Sequence, residues 1–216
     1  MFVNIHTHHP SSAGEWAIQN RFTNFETVEL AGNYSIGLHP WYIEREWIIS
    51  FEKLQQYSTH PNVLAIGETG LDKVCTTDWM EQQIVFSRHI QLANEIKKPL
   101  IIHCVKAWDE VLQILKNEKV NVPVIFHGFS KQAQLAKRIT DAGYYLSFGK
   151  SLQQETVQQV LPSVPAVQFF LETDDADIAI EKVYEYAATA LSVDINSLGL
   201  QIQKNTAAVF GPSFML

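Results

Sequence analysis

Two imidazoles, His6 and His8, stand two positions apart behind the apolar pair Phe2-Val3. On a strand, successive side chains alternate faces, so these two point the same way and can hold one cation between them. Neutral imidazole is the commonest protein ligand for zinc and similar divalent ions, and the pair supplies half of a four-donor shell. A His-x-His followed by His9 is, taken alone, also what a histidine-rich loop looks like. Weight comes from further donors that follow apolar runs along the chain: Glu68 after Val63-Leu64-Ala65-Ile66-Gly67, His103 after Pro99-Leu100-Ile101-Ile102, His127 after Val122–Phe126, and Asp174 after Val167–Leu171.

Those runs are the elements that must position the donors. Near-continuous apolar stretches of this length read as parallel strands buried on both faces. Strands are expected near residues 2–6, 16–20, 34–38, 63–67, 99–103, 122–127, 144–148 and 167–173. Between them the period changes to 3.6. Val85, Phe86, His89, Ile90, Leu92, Ala93 and Ile96 share one helical face, which makes His89 a core histidine. Trp108, Val111, Leu112 and Leu115 mark a second helix, and a third opens with Ser130 as N-cap and closes at Gly143. A short polar helix is expected over residues 153–160. The tail carries a helix with Ile180, Val183, Tyr184, Ala187 and Leu191, then another over 197–210. Strands alternating with helices imply a parallel sheet, and eight such units imply an α/β fold of the (β/α)8 TIM-barrel type. The first unit is shortened, because the 30 residues between His8 and Leu38 leave little room for a full helix. An open doubly wound sheet is the alternative, and it would leave the strand-end donors in a row.

With 216 residues, 46% hydrophobic and 18% charged, the chain is expected to fold as one domain over 1–216. Its first residues lack the pattern of an export signal, and no apolar stretch approaches the ~20 residues of a membrane span, so a cytoplasmic protein with no membrane partner is expected. The two cysteines, Cys75 and Cys104, make no disulfide framework. A net charge of −7 argues against general coating of nucleic acid, whose affinity comes from phosphate neutralisation.

In a barrel, chemistry gathers at the carboxyl ends of the strands. Here those ends carry His6, His8, Glu68, His103, His127 and Asp174. Six N/O donors exceed what one zinc ion takes, so two divalent metal ions sharing one carboxylate are expected.

These residues lie in motifs that resemble the TatD family of metal-dependent deoxyribonucleases, within the amidohydrolase superfamily. They are His6-x-His8, Gly37-Leu38-His39-Pro40, Ala65-Ile66-Gly67-Glu68-x-Gly70-Leu71-Asp72, Pro99-x-x-x-His103, His127-Gly128-Phe129-Ser130 and Leu171-Glu172-Thr173-Asp174, in the family's order. Asn205-Thr206-Ala207-Ala208-Val209-Phe210 resembles its closing helix. The resemblance implies that His6, His8 and Asp174 bind one ion, that His103 and His127 bind the other, and that Glu68 bridges. It also implies cleavage of phosphodiester bonds, with DNA as partner. The chain departs from the family at Asn4, where an Asp is usual, at Val105, where an Arg is common, and at Asp175-Ala176-Asp177, where the family has an Ala-Pro-aromatic loop.

Such a site lowers the pKa of a water and neutralises phosphoryl charge, and Asp174 is the expected proton acceptor, with Glu68 the second catalytic residue. Mixed His and carboxylate shells accept zinc, magnesium, manganese or cobalt. His39 is a candidate substrate contact or a buried hydrogen-bonding histidine. Lys73, Lys106, Lys131 and Lys150 each follow a strand end and are candidate phosphate contacts. Two other readings keep the fold: hydrolysis of a small ester, lactone or amide, and metal binding with little turnover.

Overall fold

The computed structural model describes residues 1–211. Eight strands form one sheet in sequential order: β1 (Phe2–Thr7), β2 (Glu15–Arg21), β3 (Asn33–Ile36), β4 (Val63–Asp72), β5 (Leu100–Val105), β6 (Val124–Phe126), β7 (Tyr145–Phe148) and β8 (Phe169–Leu171). Every pairing with a resolved register is parallel. Beyond the end of the last strand, Thr7 bridges to Asp174 in parallel. His8 N–H donates to the Asp174 carbonyl (3.0 Å), and Asp174 N–H donates to that of His6 (3.0 Å). The first and last strands are therefore neighbours, which excludes the open doubly wound sheet and defines the (β/α)8 barrel.

The described residues fall into two compact units, residues 1–19 with the chain from 125 onward, and residues 20–124. In the second, β4 is ten residues long and buried at nine of them, so the strand continues beyond its apolar run, through Gly67 and Glu68 to Asp72. Gly67 and Gly70 permit this close approach to β5. Both have positive φ (144° and 146°), and a Cβ would stand 2.4 Å from the Ile101 carbonyl oxygen and 2.0 Å from that of His103. Helix α1 (Trp47–Ser58) buries only Phe51, Leu54 and Ser58. Helix α2 (Trp79–Ile96) starts where the Asp78 carboxylate accepts from Met80 and Glu81 N–H, and it ends at Lys97 in the left-handed region, two residues before Pro99. His89 lies inside this unit with no exposed surface: Nε2 accepts from Leu38 N–H (2.9 Å) and Nδ1–H donates to the Val85 carbonyl (2.7 Å). Helix α3 (Trp108–Asn117) covers β5 with Val111 and Leu115.

In the first unit, Phe126, Phe129, Phe148, Phe169 and Phe170 are fully buried, each contributing roughly 1.5–3 kcal/mol of transfer free energy. Helix α4 (Ala133–Asp141) begins at Gln132, so Ser130 is not its N-cap. The Phe129 N–H donates to the Ser147 carbonyl on β7, and its carbonyl accepts from Ser151, which holds the chain at residue 129 while the helix cap falls two residues on from Ser130. Gly143 does close it, at φ 85°. The expected helix at 153–160 is one turn, α5 (Glu155–Gln158), between 3-10 turns. Helices α6 (Ile180–Leu191) and α7 (Ile195–Phe210) complete the unit. The Tyr184 hydroxyl donates to the Val3 carbonyl and accepts from the Val3 N–H, both at 3.1 Å, tying α6 to β1. Among the described residues, no helix is long and apolar enough to cross a membrane.

Candidate metal centre

The first unit gathers His6, His8, His127 and Asp174. Asp174 has φ 55°, a left-handed conformation that Asp tolerates better than most residues, and it also forms the bridge to Thr7. Its Oδ1 lies 3.4 Å from His6 Nε2 and 3.5 Å from His8 Nε2. Two donors bound at 2.0–2.1 Å in a tetrahedral shell stand about 3.3 Å apart, so the spacing fits a shared cation. Burial pushes the Asp174 carboxyl up, but hydrogen bonds from His6 and His8 and the nearby charge of His127 and His6 outweigh it, and the net pKa lies well below the usual carboxylate range. His127 also enters this group, its ring 4.5 Å from that of His6, within ligand range of His6 and Asp174, the pair that the resemblance gives to the other ion.

Behind His127 stands Glu172, fully buried, with Oε1 3.4 Å from Nδ1 and accepting from Gly128 N–H (2.7 Å). A carboxylate on the far nitrogen fixes the tautomer and aim of a metal-binding imidazole. Asn4 does a similar service for the loop after β8. Its amide donates to Thr173 Oγ1 (2.8 Å) and Glu15 (2.6 Å) and accepts from Thr173 N–H (3.0 Å). The donation to the Glu15 carboxylate is one that an Asp in place of Asn4 could not make.

The second unit gathers Glu68, His103 and His39, which also lie within ligand range of one another. Glu68 Oε1 is 2.9 Å from His103 Nδ1 and 3.1 Å from His39 Nε2. Asn20 holds the same residue twice, accepting from Glu68 N–H (2.9 Å) and donating to Oε2 (3.4 Å). His39 is buried, and its Nδ1 accepts from Trp41 N–H (3.1 Å), so Nε2 carries the hydrogen and donates to Glu68. Both ring nitrogens thus face partners in this structure, Nε2 on Glu68 and Nδ1 on the Trp41 N–H, as in the buried hydrogen-bonding reading.

His103 has a second carboxylate behind it. Asp72 Oδ2 lies 3.2 Å from its Nε2 and accepts the Trp41 indole N–H (2.6 Å), while Oδ1 accepts Val74 N–H (2.7 Å). Burial raises the Asp72 pKa, and these hydrogen bonds more than reverse it, leaving it below normal. A cation shared by His103 and Glu68 would therefore take Nδ1 and leave Nε2–H on Asp72. The donor sets of both units thus suit a divalent metal, with imidazoles pre-aimed by buried carboxylates. Asp72 and Glu172 stand inside the family motifs, but sequence reasoning does not single them out as site residues. An acid two or four positions from a candidate ligand, inside one motif, is the available signal.

The four lysines are exposed. Lys73 pairs with Glu110 and Lys150 with Asp175 (3.1 Å), so two of the four already carry carboxylate partners. Lys106 and Lys131 lie on surface loops before α3 and α4.

A parallel (β/α)8 barrel with histidine and carboxylate donors at its strand ends is the architecture of metal-dependent hydrolases. The chain belongs to the TatD-related DNase family, whose model matches residues 20–211. It is 29% identical over 195 residues to the uncharacterized metal-dependent hydrolase YcfH of Escherichia coli, a match covering 82% of this chain and 73% of that one. It is also 32% identical over 150 residues to the uncharacterized metal-dependent hydrolase TatD of Mycobacterium tuberculosis, covering 65% and 56%. The crystal structure of YjjV, a TatD homologue from Escherichia coli, has the same fold, with a TM-score of 0.86 over 97% of each chain at 22% identity. A TatD-family hydrolase from Entamoeba histolytica matches at 0.79 over 98% of each chain at 15% identity.

Proposed function

We propose that this metal-dependent hydrolase cleaves phosphodiester bonds, with DNA as the substrate class, using two divalent ions. The observation that carries the reading is the convergence of His6 and His8 on one oxygen of Asp174 at the spacing of a shared cation. Family membership supports the phosphodiester. When bound, the ions would lower the pKa of a water and neutralise charge on the phosphoryl group. His6, His8, His127 and Asp174 would hold one ion, and Glu68 with His103 the other. The bridging role given to Glu68 is the one that the resemblance implies. Asp174, ionised at neutral pH, would accept the proton of the attacking water. His39 and Asn20 fix Glu68, and Asp72 and Glu172 fix the imidazoles. Glu68→Gln and Asp174→Asn should each lower hydrolysis by at least ~10²-fold under saturating metal. Near wild-type turnover in either variant would remove the role given to it.

A small ester or amide substrate is the second reading. It is favoured by the net charge of −7 and by the pairing of Lys73 and Lys150 with carboxylates, which weakens attraction for phosphate. Metal-reconstituted protein screened against single-stranded DNA, a chromogenic phosphodiester and simple esters separates the two, while no turnover on any of them would leave only metal binding. Elemental analysis after metal loading should return two ions per chain, and a reproducible value of one or less would defeat the binuclear arrangement.

A further inference from the structure

The 3-10 turn Pro40–Tyr42 follows His39 directly and carries two consecutive exposed aromatics: Trp41 at 56% and Tyr42 at 49% exposure. Large apolar rings left in water cost free energy unless something covers them in use. These rings are also held in place. The indole N–H of Trp41 is fixed on Asp72 Oδ2 (2.6 Å), the same oxygen that faces His103 Nε2. Its ring lies 5.2 Å from His39 and 6.2 Å from His103, in both cases near perpendicular, so neither imidazole stacks flat on the indole. Tyr42 stacks on Phe22 at 4.6 Å and 19°. The polar edge of the indole is therefore pinned to the candidate metal centre while more than half of the residue faces solvent.

We infer that Trp41, backed by Tyr42, is a stacking platform for an unpaired nucleobase of the nucleotide adjoining the scissile phosphate. An aromatic ring suits this occupant because every base presents a π-face, and such stacking tolerates any sequence. It also answers how a chain of net charge −7 retains a polyanion, since stacking needs no cationic partner. The assignment rests on the phosphodiester reading above.

The test compares a short oligothymidylate with its abasic counterpart. In the metal-loaded protein, Trp41→Ala should lower the ratio of kcat/KM for the base-bearing over the abasic strand by about five- to a hundredfold, mainly through KM. Trp41→Phe should keep most of that ratio, because it retains a ring and loses only the N–H. If the indole served merely to position Asp72, both variants would lose activity alike on both strands, and the ratio would stay at its wild-type value. That result would overturn the platform. In metal-free protein, oligothymidylate should quench tryptophan fluorescence in the wild type and not in Trp41→Phe, whereas the abasic strand should quench neither. Failure of every phosphodiester to react would remove the function proposed above, yet this titration would still decide the stacking. Equal quenching by both strands would rule the platform out even if hydrolysis is found.

Discussion

Three of the candidate histidines come with a residue that bears on which nitrogen is offered. His103 has Asp72, His127 has Glu172, and His39 has the Trp41 backbone N–H. Loss of such an orienting carboxylate typically weakens metal affinity 10- to 100-fold without removing a ligand. Asp72→Asn and Glu172→Gln should each do so, as read by competition with a chelating dye, with unfolding midpoints close to wild type. Affinity unchanged in both variants would mean that the carboxylates only fill buried space. The donors themselves were legible because each follows an apolar run. The orienting acids were not, because their role is a matter of direction: Glu172 and Asp174 lie two residues apart in one motif, and only the fold shows that one backs an imidazole while the other faces two.

At the scale of elements, two ties give measurable expectations. His89 joins α2 to the chain after β3 in its neutral form, accepting from Leu38 N–H and donating to Val85. Full burial pushes its pKa from 6.5 down to about 4, against a weaker upward effect of the bond to Val85. Since the unfolded chain takes up this proton first, stability is whole above pH 6.5 and falls as the pH drops towards 4, by about 3 kcal/mol in all. Urea unfolding across this window should show His89→Gln losing that part of the pH dependence, and an unaltered slope would point to other groups. The second tie is Tyr184. Its hydroxyl serves both backbone groups of Val3, and Tyr184→Phe would leave a buried N–H and C=O unpaired, costing about 1–3 kcal/mol in unfolding free energy. A cost within error would show that β1 finds other partners.

The elements were unevenly visible beforehand. All eight strands fell near the expected positions, because parallel strands buried on both faces read as apolar runs. Helix α1 gave little sign of itself, since Ile48 and Ile49 are exposed and no side chain caps its start at Glu46. β4 outran its apolar segment because Glu68 and Asp72 are buried among hydrogen-bonding partners, a circumstance that hydropathy does not record.

For the molecule as a whole, the strand order and the (β/α)8 class were readable from the alternation of periods, and the candidate site followed from the rule that barrel chemistry lies at strand ends. Charge was harder to read. A linear count placed four lysines after strand ends, but could not show that Lys73 and Lys150 have acidic neighbours. Lys106 and Lys131 remain the better candidates for phosphate. Replacing both by Gln should flatten the salt dependence of single-strand binding by a slope of roughly 0.7 for each phosphate no longer neutralised, with metal content unchanged. An unchanged slope would assign retention of the strand to other residues.

The bridge between Thr7 and Asp174 also sets an order of events during synthesis. His6 and His8 leave the ribosome well before Asp174, on which both converge and which follows only after 165 further residues have been made. At about 5–20 residues per second, that is an interval of roughly ten to thirty seconds. Throughout it, the nascent chain displays the pair of imidazoles without the Asp174 carboxylate on which they converge. A cation captured in that interval would be held weakly and exchange freely, so the ion finally retained is chosen by the finished fold rather than by whichever metal first meets the emerging chain.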